Sequence, residues 1–134
     1  MRCLLLAVLI SAFPLSAATV LVHGSVPLDS LSQVQLRNIF TLRQTLWPDG
    51  TPVRVIVMPD SAAAHQRFCR EQLRLFPYQL NNIWDKHSFS GTGRRPQQAD
   101  DNAAMLEFLR SVPGAIGYSE QFNTDPAIKE VRID

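Results

Sequence analysis

The chain has 134 residues, with 13 Lys and Arg against 12 Asp and Glu. The formal net charge of +1 recruits neither nucleic acid nor an acidic membrane surface by bulk attraction. Hydrophobic residues make up 46% of the chain, enough for the modest core of one domain.

In chain order, Met1-Arg2-Cys3 precedes an apolar run from Leu4 to Phe13, which Pro14 breaks before Ser16-Ala17-Ala18. A positive start, a short apolar run and a small-residue site read as a secretory signal, cleaved near Ala18. The run is too short to cross a bilayer as a helix, which takes about 20 residues. Residues 1–18 are thus expected to leave, and residues 19–134 to form one periplasmic domain that does not span the membrane. Cys69 is then the one cysteine retained, so packing rather than an intramolecular disulfide stabilises the domain.

Thr19-Val20-Leu21-Val22-His23 reads as a strand. Leu31-Ser32 opens a helix: Ser32 and Gln35 form a capping box, Leu31 and Leu36 a staple, and Leu36, Ile39 and Phe40 an apolar stripe. Trp47-Pro48-Asp49-Gly50 is a turn. Residues 53–58 are nearly continuous in β-branched residues, as in a strand buried on both faces. A second helix follows, with Asp60 or Ser61 as N-cap and Phe68, Cys69, Leu73 and Phe76 facing inward.

Pro77 opens a third helix, with Leu80, Ile83 and Trp84 turned inward. Residues 89–96 are a loop. Asp100 or Asp101 caps a fourth helix, whose Met105, Phe108, Leu109 and Val112 share a face. Residues 115–118 and 128–133 read as closing strands. The order β, α, β, α, α, α, β, β predicts a three-layer α/β sandwich, with a mixed or mostly parallel sheet flanked by helices. The outer strands of such a sheet need cover.

The junction after the central strand is the first candidate site. Backbone N–H groups at a helix start, the Ser61 hydroxyl and the small residues Ala62, Ala63 and Ala64 suit a phosphate or sulfate. The same residues also suit an ordinary capped helix. Asp60 opposes a fully ionised anion and helps only by accepting a proton from a singly protonated phosphate. Gly91-Thr92-Gly93-Arg94-Arg95 is the second candidate, because flexible glycines beside guanidinium groups can fold over an oxyanion. It equally suits an exposed basic turn. His65 and Cys69, four apart, share a helix face and read as a partly exposed histidine near a buried cysteine. The sequence carries no Gly-x-Ser-x-Gly, His-Glu-x-x-His or Cys-x-x-Cys, hence no catalytic, metal or cofactor motif.

Five segments together resemble a known family. They are Leu31-Ser32 through Ile39-Phe40, Trp47-Pro48-Asp49-Gly50, Arg67-Phe68, Trp84 with Phe89-Ser90-Gly91, and Pro113-Gly114-Ala115-Ile116-Gly117-Tyr118. The set is similar to the phosphate ABC transporter substrate-binding proteins, in their short one-lobe form, within the type II periplasmic binding group. The resemblance runs from about Leu31 to Tyr118 and implies one lobe of that fold. It also implies a non-enzymatic phosphate or oxyanion binder, with Asp60, Ser61, Ala62, Ala63, Arg67, Thr92 and Arg94 as ligand residues.

Two sequence departures weaken that implied site. The family's arginine and Gly-Ser-Gly-Thr loop after the central strand become Met58-Pro59-Asp60-Ser61-Ala62-Ala63-Ala64 here, and its Gly-Lys after Ile-Phe becomes Leu42-Arg43. A single lobe also lacks the second wall of the cleft. A micromolar site corresponds to about −8 kcal/mol, so a lobe keeping half of it binds at about millimolar. The resemblance therefore implies a weak or vestigial site. The alternative is an accessory module that docks another envelope or transporter protein.

Overall fold

A computed structural model describes residues 18–91 and 93–134. The segment read as a secretory signal lies outside the described residues except for Ala18, and so does Thr92. The strands are β1 (Thr19–His23), β2 (Ser30–Leu31), β3 (Arg54–Val57), β4 (Gln97–Gln98), β5 (Ala115–Ser119) and β6 (Ile128–Ile133). The helices are α1 (Gln33–Phe40), α2 (Ala63–Phe68), α3 (Pro77–Phe89) and α4 (Asn102–Ser111), and α2 runs directly into a π-helical turn, Cys69–Leu73.

The strands form one sheet in the order β2-β6-β1-β5-β3-β4. β1 is antiparallel to both β5 and β6, with Leu21 opposite Gly117 on one side and Glu130 on the other. β5 to β3, β3 to β4 and β2 to β6 are parallel, so the sheet is mixed. The sequence pattern anticipates the four longer strands and misses β2 and β4. Two residues show no period, and Gln97-Gln98 carries no apolar signal. These short pieces occupy both sheet edges, and an edge of two residues offers little to a foreign strand. The fold therefore supplies part of the cover that the outer strands need.

Alternation along β5 builds the three layers. Gly117 points to one face, where an added Cβ would stand 2.5 Å from Met105 Sδ of α4. Tyr118 points to the other, stacked on Phe68 with ring centroids 4.1 Å apart and close to Phe40 of α1. Such aromatic pairs contribute about 0.5–1.5 kcal/mol beyond the area they bury. α3 lies on the α1 side, where Trp84 Nε1 donates to the Phe40 carbonyl at 2.8 Å. Val55, Ile56 and Val57 of β3 are all buried between the layers, as their β-branched run requires.

Helix ends follow local chemistry. At α1 the Ser32 hydroxyl accepts from Gln35 N–H at 3.1 Å, and the Gln35 side chain accepts from Ser32 N–H at 2.9 Å. Leu31 belongs to β2 rather than to the helix approach alone. α1 closes in a Schellman motif: Arg43 N–H donates to the Asn38 carbonyl and Leu42 N–H to the Ile39 carbonyl. Leu42 takes the left-handed conformation (φ 64°) that this motif usually assigns to glycine. α4 is capped by Asp101, whose carboxylate accepts from Ala104 N–H at 2.8 Å. α2 departs from expectation: its N-cap is Ala62, one residue past Ser61 and without a side-chain cap, and the Ala62 N–H is taken by the Pro59 carbonyl in the turn before the helix. Phe76 also departs. It precedes α3 outside the π-helical turn and is 59% exposed.

Gly114 fixes the entry to β5. Its φ is +77°, an added Cβ would lie 2.3 Å from the Pro52 carbonyl oxygen, and its own carbonyl accepts from Trp47 Nε1 and from Arg54 N–H. Gly114→Ala meets both the backbone clash and the unfavourable φ, and is expected to cost about 3 kcal/mol, read as a fall in the urea midpoint at constant slope.

Candidate functional site

Because β3, β4 and β5 are mutually parallel neighbours, their carboxyl ends lie along one edge of the sheet. In open α/β sheets the ligand crevice lies outside such ends. The segments that leave this edge carry Pro59-Asp60-Ser61, Asp100-Asp101 and Glu120-Gln121, and α2 and α4 start there. The first candidate from the sequence, Asp60 to Ala63, lies in the segment that leaves this edge after β3.

Below it runs a buried polar chain. Met58 N–H donates to the Tyr118 hydroxyl oxygen at 2.8 Å, and that hydroxyl is hydrogen-bonded to His65 Nδ1. His65 Nε2 lies 3.5 Å from Asp60 Oδ1 and 3.4 Å from Cys69 Sγ. The other Asp60 oxygen accepts from Asn81 Nδ2 at 2.6 Å, and Asn81 Oδ1 in turn accepts from Arg95 Nη2 at 3.0 Å. His65 is fully buried, against the partial exposure expected from sequence, because the Tyr118 hydroxyl meets Nδ1 and the Cys69 thiol meets Nε2.

The electrostatics of this chain are those of structure. Burial lowers the His65 pKa, and Asp60 only partly offsets it. Burial, with Asp60 adding, pushes the Cys69 thiol up to about 12. A thiol so protonated at neutral pH is a poor nucleophile. Burial likewise raises the Tyr118 hydroxyl.

The guanidinium groups diverge. Arg67 Nε donates to Glu120 Oε2 at 2.6 Å and Nη2 to Oε1 at 2.5 Å, a bidentate grip of the kind an oxyanion would receive. This contact holds the Glu120 carboxyl below the usual carboxylate range. Arg95 pairs with Asp85 and lies over the Trp84 ring at 5.7 Å. Arg94 lines a cavity at the opposite, amino end of β3. Thr92 lies outside the described residues. Sequence reasoning missed Glu120, Asn81 and the Tyr118 hydroxyl. Glu120 stands 53 residues from Arg67, so no local spacing signals the pair.

No family model matches the sequence, and no curated protein does. Solved structures do. A protein from Clostridium perfringens described as a phosphate ABC transporter substrate-binding protein with bound phosphate superposes with a TM-score of 0.67 at 20% identity, over 87% of this chain and 44% of that one. An ABC-type phosphate transport receptor from Vibrio cholerae gives 0.57 at 15% identity, over 87% and 46%. PstS from Borrelia burgdorferi gives 0.64 at 13% identity, over 88% and 47%. The fold is that of one substrate-binding-protein lobe. The chain spans less than half the length of each of these structures, in agreement with a single lobe.

Two measurements probe this site. Tyr118→Phe removes the acceptor of the buried Met58 N–H and is expected to cost the lobe about 2 kcal/mol in urea unfolding. His65 has a folded pKa below its ordinary value of 6.5, so between those two values the unfolded chain binds more protons. Its contribution is complete above about 6.5 and is lost as pH falls toward the folded value. Wild-type stability is therefore expected to drop more steeply than that of His65→Gln between pH 7 and 5, and NMR titration of the His65 ring gives the folded pKa directly.

Proposed function

We propose that this chain is a non-enzymatic solute-binding-type lobe, exported to the periplasm by removal of residues 1–18, whose phosphate or oxyanion site at the carboxyl edge is weak. The observation that carries this reading is the Arg67–Glu120 pair: the protein's own carboxylate takes the bidentate guanidinium contact that a bound oxyanion needs. What remains for a ligand is the Ser61 hydroxyl and the first backbone N–H groups of α2 at Ala63 and Ala64, beside the Asp60 carboxylate. Like charge at Asp60, Asp100, Asp101 and Glu120 works against a dianion at this edge. The fold shared with phosphate-transport proteins, one of them holding phosphate, supports the ligand class.

A phosphate titration by thermal shift, with sulfate and chloride at matched ionic strength, tests the reading. A millimolar site at about 10 mM phosphate adds roughly 1.4 kcal/mol. Wild type is expected to gain no more than that, and Glu120→Gln, which loosens the hold on Arg67, is expected to show a larger phosphate-specific shift. Saturation of wild type at micromolar phosphate overturns the weak-site reading.

A second reading, an accessory module that docks another envelope protein, is favoured by one observation. Phe76 and Tyr78 are 59% and 62% exposed, their rings nearly parallel with centroids 5.8 Å apart, and with Asp60 they line a cavity of about 430 Å³. Absence of a phosphate-specific shift in both wild type and Glu120→Gln moves the assignment to this reading.

A further inference from the structure

The amino end of β3 carries a second cavity, of about 360 Å³, within the size range of small-molecule sites. Its polar lining is cationic: Arg54 from the first position of β3, and Arg94 and Arg95 from the loop ahead of β4, with Thr45 and Gln97. No carboxylate lines it among the described residues. Arg95 is engaged by Asp85 and Asn81, whereas Arg54 and Arg94 are exposed and have no ion-pair partner among the described residues.

The rest of the wall is apolar, from Leu42, Pro52, Val53 and Pro96. Leu42 is the residue held at positive φ at the end of α1, and its Cδ1 lies against Gly93, so this unfavourable backbone packs directly beneath the arginine loop. Val55 and Gln97 also line it, and Arg95 of its wall donates to Asn81, whose side chain in turn donates to Asp60.

We propose that this cavity binds a small organic phosphate. Its phosphoryl group is held by the Arg54 and Arg94 guanidiniums, which match phosphate oxygens in bidentate geometry, and its apolar body rests on Leu42, Pro52 and Pro96. The site is independent of the weak site proposed at the carboxyl edge, since it shares none of its ligand residues except Arg94, which the fold has carried to the other end of the strand.

The test is an NMR titration of the protein with phenyl phosphate at constant ionic strength, with arms of inorganic phosphate, benzoate and hexaglutamate. Saturable shifts centred on the Val53, Arg54, Gly93 and Arg94 amides are expected. Phenyl phosphate should bind more tightly than inorganic phosphate or benzoate. Arg54→Gln with Arg94→Gln, both exposed positions, should weaken binding by about tenfold or more, whereas Arg132→Gln, an exposed arginine outside the cavity, should leave it unchanged. Shifts centred on Ser61 to Ala64, an affinity unaltered in the double variant, or equal binding of inorganic phosphate each overturn the proposal. Saturation by hexaglutamate without phenyl phosphate overturns it in favour of protein docking. A failed phosphate response at the carboxyl edge leaves these outcomes untouched, because the amides that move are different.

Discussion

The carboxyl edge of this lobe depends on the Tyr118 hydroxyl. Its ring fills the space between the sheet and the helices, against Phe68 and Phe40, while its oxygen takes the N–H of Met58 just beyond β3 and its hydroxyl is hydrogen-bonded to His65 of α2. One residue of β5 thus holds the end of β3 and the first helix after it. A buried N–H without an acceptor costs about 1–3 kcal/mol, so the tie fixes where β3 stops and how α2 departs. Asp60 and Asn81 extend the chain to α3, which ties the Pro59–Ala62 turn to that helix while Asp60 and Ser61 stay exposed.

Charge is separated along β3 in a way that the near-zero net charge conceals. Acidic residues collect where β3, β4 and β5 end, at Asp60, Asp100, Asp101 and Glu120, and Arg67 is drawn into their company by Glu120. Arginines without carboxylate partners among the described residues collect where β3 begins, at Arg54 and Arg94. At short range, local charge rather than net charge sets which ions a surface accepts. The edge that the fold offers as a crevice is thus the less hospitable end for a phosphate, and the opposite end has the donors. This polarity underlies both the weak carboxyl-edge site that we propose and the proposed phosphate cavity.

The motif Pro113-Gly114-Ala115-Ile116-Gly117-Tyr118 shows why a short segment was informative. Gly114 accommodates the Pro52 carbonyl and a positive φ, Ile116 is core, Gly117 leaves room for Met105, and Tyr118 ties the site. At Gly114 and Gly117 the contacts leave no room for a Cβ. The long strands, the Ser32–Gln35 capping box and the Asp101 cap were equally legible, because period, β-branching and capping are properties of neighbours in sequence. The position of Asp60 to Ala63 at a strand-to-helix junction was legible for the same reason.

The sequence by itself determined the α/β class, the helices and their inner faces, and the junction where a crevice would form, since these follow from local propensity and from apolar periodicity. Only the tertiary structure decided the β2 and β4 edges, the full burial of His65 and the start of α2 at Ala62. It alone decided that Arg67 would meet Glu120 while Arg94 went to the far end of β3. The physical reason is that a guanidinium on a long side chain is claimed by whichever carboxylate the packing brings within about 3 Å. Here that carboxylate lies 53 residues away, and strand order rather than sequence spacing makes them neighbours.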